Sequence, residues 1–241
     1  MRKIIWAVKA GAMLSTVLAL SSCTGPTIIQ APATAPAQPS SSVAPPSSAD
    51  PFAAFEQARS AGQEVLAIDH VKSVVAITVR RGGTLARLGH DHVIASHALD
   101  GYVAPGMQKA VLRFKLSEMA VDEAPLRAQA GLPPPPSADA IFATRRNMLE
   151  HVLEAEKYPW LLVQAEQAPG NPALLNADIT LHGQTRRYSV PVTLERKDGA
   201  LRATGAFNVK QTDFGIKPFS VMGGAMVVQD QVELRFDISA R

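Results

Sequence analysis

The sequence predicts an all-β fold: a closed antiparallel β-barrel of about eight strands, with one amphipathic α-helix packed on or over it. Five segments alternate apolar and polar residues with a period of two, short glycine-bearing connections join several of them, and one long stretch alone has a helical period.

The first strands are Val65–Asp69 and Ser73–Arg80, both rich in Val and Ile, followed by Arg81-Gly82-Gly83-Thr84 as a turn. The glycine pair lacks the spacing and the following Lys-Ser/Thr of a phosphate loop, and no helix follows it. Strict alternation begins in Val111–Leu116, where Leu112, Phe114 and Leu116 oppose Arg113 and Lys115. Asn176–Leu181, Tyr188–Leu194, Leu201–Val209 and Val232–Ile238 repeat the pattern, each with one apolar and one polar face. Gly183-Gln184-Thr185 and Lys197-Asp198-Gly199 join neighbours as hairpins, which makes the C-terminal half an antiparallel meander. Closing such a sheet on itself buries its apolar faces and removes its edges. A barrel of about eight strands has an interior that side chains just fill or that holds one slim ligand.

The helix is Ala138–Glu156. Ser137 is placed to cap it, Asp139 lies in its first turn where the helix dipole favours negative charge, and Ile141, Phe142, Met148, Leu149, Val152 and Leu153 form an apolar stripe. Pro159 ends it, and Pro125–Pro136 before it reads as a loop. Asp50-Pro51 also announces a short helix over Pro51–Ser60, anchored by Phe52 and Phe55.

Residues 1–22 read as an export signal, with Arg2 and Lys3 before an apolar run and Leu20-Ser21-Ser22-Cys23 at its end. That ending resembles a lipobox, in which cleavage leaves Cys23 as a lipidated N-terminus. Lys9 interrupts the run and argues against a retained membrane span. Residues 23–60 are a Pro-, Ala- and Ser-rich tether with the short helix at its end, and residues 61–241 are the folded domain. Thr24 after the cysteine resembles the pattern sorted to the outer membrane, facing the periplasm. Cys23 is the single cysteine, so the domain forms no internal disulfide. Cleavage removes three of the 24 basic residues and none of the 21 acidic ones, leaving 21 of each. A neutral domain with no basic run gives no reason to expect nucleic acid as a partner.

Four of the six histidines fall between His70 and His97, around Gly89-His90-Asp91-His92. If Arg87–Ala95 is extended, His90, His92 and Ile94 share one face while Asp91, Val93 and Ala95 share the other. Three readings are open: hydrogen-bonded histidines fixing a bulge, a transition-metal site with His97 or Asp91 completing the set, or acid–base chemistry. Ser96 and Asp100 lie nearby, but no nucleophile motif accompanies them, so a catalytic triad has no support and no enzyme is expected.

Several motifs recur together: Ile68-Asp69-His70 with Ser73, the Gly-His-Asp-His segment ending in Asp100-Gly101, and Glu156-Lys157-Tyr158-Pro159. Further on come Ile179-Thr180-Leu181-His182-Gly183-Gln184-Thr185-Arg186 and Asp213-Phe214-Gly215-Ile216 before a Val-rich last strand. In this order they resemble the YceI-like family of exported bacterial proteins. The resemblance implies a lipocalin-like barrel that binds a polyisoprenoid or similar long lipid, such as a quinone or acyl chain, without a dedicated cofactor. The candidate lumen residues are Leu112, Phe114, Ile179, Val190, Val192, Phe207, Leu234 and Phe236. The expected partners are a long-chain lipid and, through Cys23, a membrane. The oligomeric state is open, with a homodimer one candidate.

Overall fold

The computed structural model describes residues 50–241, so the expected signal at 1–22, Cys23 and most of the tether lie outside the described residues. Asp50 Oδ1 accepts the Phe52 amide at 3.0 Å, and α1 (Ala53–Ser60) follows. Eight residues make a marginal helix alone. This one is held because Phe52 and Phe55 are buried beside Tyr102, their ring centroids 5.7 and 6.3 Å from its own.

The apolar–polar segments form antiparallel strands in two six-stranded sheets. One contains, in hydrogen-bonded order, β1 (Leu66–Ala67), β5 (Asp100–Ala104), β6 (Lys109–Lys115), β8 (Trp160–Ala168), β9 (Asn171–Leu181) and β10 (Gln184–Pro191). The other contains β11 (Thr193–Lys197), β12 (Ala200–Lys210), β15 (Gln231–Ala240), β2 (Val74–Val79), β4 (His92–Ser96) and β7 (Ala120–Val121). A small third sheet joins β13 (Ser220–Val221), β14 (Met226–Val228) and β3 (Arg81–Gly82), the last formed where the sequence predicts a turn. Two hairpins follow the sequence closely. His182-Gly183 turns β9 into β10 with φ of +52° and +72°, and Asp198-Gly199 turns β11 into β12 with +50° and +78°. Two left-handed central residues are what a tight two-residue hairpin requires.

The closed barrel expected from the alternation does not form. The strands belong to open sheets whose ladders end in short segments: β1 and β7 have two residues each and pair on one side only. The strand predicted over Tyr188–Leu194 breaks at Val192: its amide still bonds to the Ala173 carbonyl at 2.9 Å in register with β9, and from Thr193 the chain pairs with β12, so that β10 ends one sheet and β11 starts the other. A second link is the isolated bridge between Ile68 and Ala240. Period-two patterning states that each strand has one apolar face; it does not state which neighbour completes a ring. The two sheets face one another across a common core, with Val75, Ile94 and Phe207 from one and Phe114, Ile179 and Val190 from the other.

The helices depart from expectation in two places. A short helix, α2 (Ala124–Gln129), occupies part of the predicted loop, with Pro125 in its first turn where no backbone donor is needed. The capped helix α3 starts as predicted, Ser137 Oγ accepting the Ala140 amide at 3.3 Å. It is α-helical only over Ala138–Asn147, and then becomes a π-helical turn, Met148–Val152, instead of reaching Glu156. Ile141, Met148, Leu149, Val152 and Leu153 pack on the core. Phe142 sits about 100° round the helix from Ile141 and is 68% exposed.

Gly205 on β12 is the position where the bend between β10 and β11 presses on the second sheet. A Cβ there would lie 2.4 Å from the Pro191 carbonyl oxygen and 2.5 Å from the Phe236 ring. The carbonyl belongs to backbone and cannot swing aside. Gly205→Ala is therefore expected to destabilise the fold by about 1–3 kcal/mol, read as a lower denaturation midpoint in urea.

Candidate functional site

Side chains do not fill the space between the sheets. Among the described residues, the spaces that remain include cavities of about 360 and 330 Å³. Ile77, Leu161, Ile179 and Leu234 line both, so the cavities adjoin at an apolar waist. Strand order sets their direction. On β2, Val75 faces the second cavity, Ile77 both and Val79 the first. On β8, Leu161 is at the waist while Val163, Ala165 and Gln167 continue along the second cavity. At about 3.3 Å per residue, Leu161 to Gln167 alone spans about 20 Å. The space is elongated along the strands.

Most of the predicted lumen residues lie on these walls. Leu112, Phe114, Val190, Phe207 and Phe236 line the second cavity, and Ile179 and Leu234 line both. Val192 lines neither; it is buried at the bend where the chain changes sheet.

The first cavity is roofed by Thr144, Asn147, Met148 and Val152 from α3 and its π turn. Leu88 lines it while remaining 59% exposed, which marks the opening. Phe214 forms part of the wall and stacks on Tyr188 at 6.2 Å between centroids. Tyr188 Oη donates to Asp213 Oδ2 at 2.8 Å. Burial, and then that hydrogen bond, raise the Tyr188 hydroxyl far above its ordinary range, so it stays a donor.

His90, His92 and Ile94 do share one side, since all three line the first cavity. The extended run is shorter than predicted, because a single 3₁₀ turn, Ala86–Leu88, precedes it and β4 begins at His92. The His90 and His92 rings lie 6.1 Å apart and inclined by 62°. The other candidate ligands point elsewhere. Asp91 accepts the Arg81 amide at 2.9 Å and pairs with the Arg80 and Arg81 guanidinium groups. His97 pairs through Nε2 with Glu123 at 2.9 Å on the surface. His90, Asp91, His92 and His97 are thus not brought together, and among the described residues no group of three or more His, Cys, Asp or Glu side chains is placed to hold a metal ion.

What holds His92 is a buried ionic chain. His92 Nδ1 lies 2.6 Å from Asp122 Oδ2, and Asp122 Oδ1 accepts the Val93 amide at 3.0 Å and the Arg127 guanidinium. Arg127 also donates to the carbonyls of Asp91 and Pro133, each at 2.8 Å. The Asp122 side chain is 0% exposed, that of Arg127 4% and that of His92 13%. Burial would raise the Asp122 carboxyl, but the His92, Val93 and Arg127 hydrogen bonds outweigh it and hold the group below its ordinary value of 3.8. Asp122 and Arg127 are absent from the residues singled out in the sequence. Thirty positions separate His92 from Asp122, and no spacing rule joins them. Arg127 lies in α2, where the prolines suggested a loop.

Residues 136–240 match the family model described as the YceI-like domain. A polyisoprenoid-binding domain from Saccharophagus degradans has a similar structure, with a TM-score of 0.52 and 11% identity over 73% of this chain and 97% of its own. BcnA of Burkholderia cenocepacia is similar at a TM-score of 0.50 and 14% identity, over 72% and 99%. At these identities the likeness is one of fold. No curated protein matches the chain by sequence. The matched segment supplies α3, Leu161, Ile179 and Leu234, hence the roof and three of the four waist residues. Ile77, His92, Asp122 and Arg127 precede it.

Because the folded-state carboxyl of Asp122 is depressed, its contribution to stability is present above the ordinary value of 3.8 and lost as pH falls through the lower folded value. Asp122→Asn leaves Arg127 buried without a counter-charge, an expected loss of about 3–5 kcal/mol near neutral pH. Urea titrations from pH 7 down to pH 2 should show the gap between the two proteins narrowing below about pH 4.

Proposed function

We propose that this protein binds a long apolar lipid, such as a polyisoprenoid, quinone or acyl chain, along the two joined cavities, for storage or transport rather than for chemical conversion. The observation that carries this reading is the shared waist of Ile77, Leu161, Ile179 and Leu234. It sets two compact spaces with largely apolar walls end to end along the strands. Each methylene taken from water into such a space contributes about 0.8 kcal/mol, so a long chain needs few polar contacts. Each cavity is also within the size range of about 300–1,000 Å³ common for ligand sites. The structural likeness to a domain named for polyisoprenoid binding supports the same reading.

The proposed setting is the periplasmic face of the outer membrane, with the protein tethered through lipid on Cys23. The lipobox-like Leu20-Ser21-Ser22-Cys23 and the Pro-rich segment after it support this. Replacing Cys23 by Ala is expected to move the protein from the membrane fraction to the soluble periplasmic fraction; retention in the membrane counts against the anchor.

Native mass spectrometry of the protein gently extracted from its own host is expected to show the polypeptide with one long-chain lipid. A polypeptide mass alone overturns the carrier reading. Ile179→Trp, which adds bulk at the waist, is expected to reduce the lipid-bearing fraction at least several-fold, and Leu234→Phe to do so more mildly, with melting curves checking that both variants fold.

A further inference from the structure

The His92, Asp122 and Arg127 chain engages His92 through Nδ1, and the other ring nitrogen has only one long contact. Asp122 takes up three donors: the Val93 amide, the Arg127 guanidinium and His92 Nδ1. A carboxylate surrounded in this way acts only as an acceptor, so Nδ1 must carry the hydrogen. In the neutral ring Nε2 is then a lone pair, and His92 directs it into the first cavity. The neighbour given to it by the fold is Thr144 Oγ1 at 3.4 Å, longer than the usual range of about 2.7–3.2 Å. An acceptor therefore stands on the wall of the first cavity, on the side of the waist away from the second.

Resting on the reading that the cavities hold a long-chain lipid, we infer that His92 Nε2 is the polar anchor of that lipid and accepts a hydrogen bond from a terminal hydroxyl, so that the preferred ligand is a long-chain alcohol. The apolar tail then runs past Ile77 and Ile179 toward the second cavity, while Thr144 borders the hydroxyl. Asp122 is the positioning residue. It fixes the ring's tautomer and orientation from a site with no solvent exposure, and Arg127 balances its charge. The chemistry is selective. A hydrocarbon or an ether offers no hydrogen to the lone pair.

The test uses geranylgeraniol, its methyl ether and its monophosphate as probes on the full chain. The wild-type protein is expected to bind the alcohol about three- to tenfold more tightly than the ether, the range that one neutral hydrogen bond supplies. His92→Asn places an amide donor near the Nδ1 position, toward Asp122, but removes Nε2 from the cavity. It should bind alcohol and ether alike, whereas His92→Gln, whose amide reaches toward Nε2, should retain part of the preference. Comparing two ligands within one variant separates anchoring from any general loss of stability. In the unaltered protein, the His92 Nε2 ¹⁵N resonance should shift on adding the alcohol and stay in place with the ether. Equal binding of alcohol and ether by the wild type, a preference that survives in His92→Asn, or a wild-type preference for the monophosphate each overturns the anchor while leaving the lipid-binding reading intact. Failure of all three probes to bind overturns both.

Discussion

The constraint on which the structure depends is that two apolar sheet faces must be shielded from water at a separation their own side chains do not fill. Protein interiors are normally packed like organic crystals, and a void deprives its lining of dispersion contacts. Space left between the sheets forgoes part of those contacts. A fold that keeps such space must fix its walls by other means. Here the walls are long strands with continuous ladders: β9, β12 and β15 have 11, 11 and 10 residues. The bend at Val192 and the bridge at Ile68 tie the two sheets together. The apolar guest proposed above would supply the contacts that the lining lacks.

Polar groups are placed where they interfere least with that container. The buried charges of Asp122 and Arg127 lie behind His92, compensating one another and the Asp91 and Pro133 carbonyls, and they present only an imidazole to the cavity. Tyr188 and Asp213 do the same behind Phe214, which shows the cavity an apolar ring. In both cases a hydrogen-bonded pair outside the cavity orients a side chain at its wall. Removing the outer partner leaves the wall residue in place by sequence but not by force.

Much of the fold was legible because its signals are local. Hairpin turns at His182-Gly183 and Asp198-Gly199 depend on two residues each, the cap at Ser137 on four, and the facing of Leu112 and Phe114 on alternation within one strand. The failures are of another kind. The end of the α-helix at Asn147 goes with the packing of Met148 to Val152 over the cavity, and the break at Val192 with the change of partner from β9 to β12. The histidine cluster was found by density alone, and its division was not foreseen: His92 turned to Asp122, His97 to Glu123, and Asp91 to the arginines at 80 and 81.

The sequence by itself determined which faces are oily, where the chain turns back, and that the strands pair antiparallel, because these follow from side-chain periodicity and from backbone angles that few residues adopt. Only the tertiary structure decided that the strands form two open sheets, that two cavities meet at Ile77, Leu161, Ile179 and Leu234, and that His92 is held by a carboxylate thirty positions away. Those outcomes depend on distances between segments remote along the chain. The energies that fix them arise only when both partners have left water together.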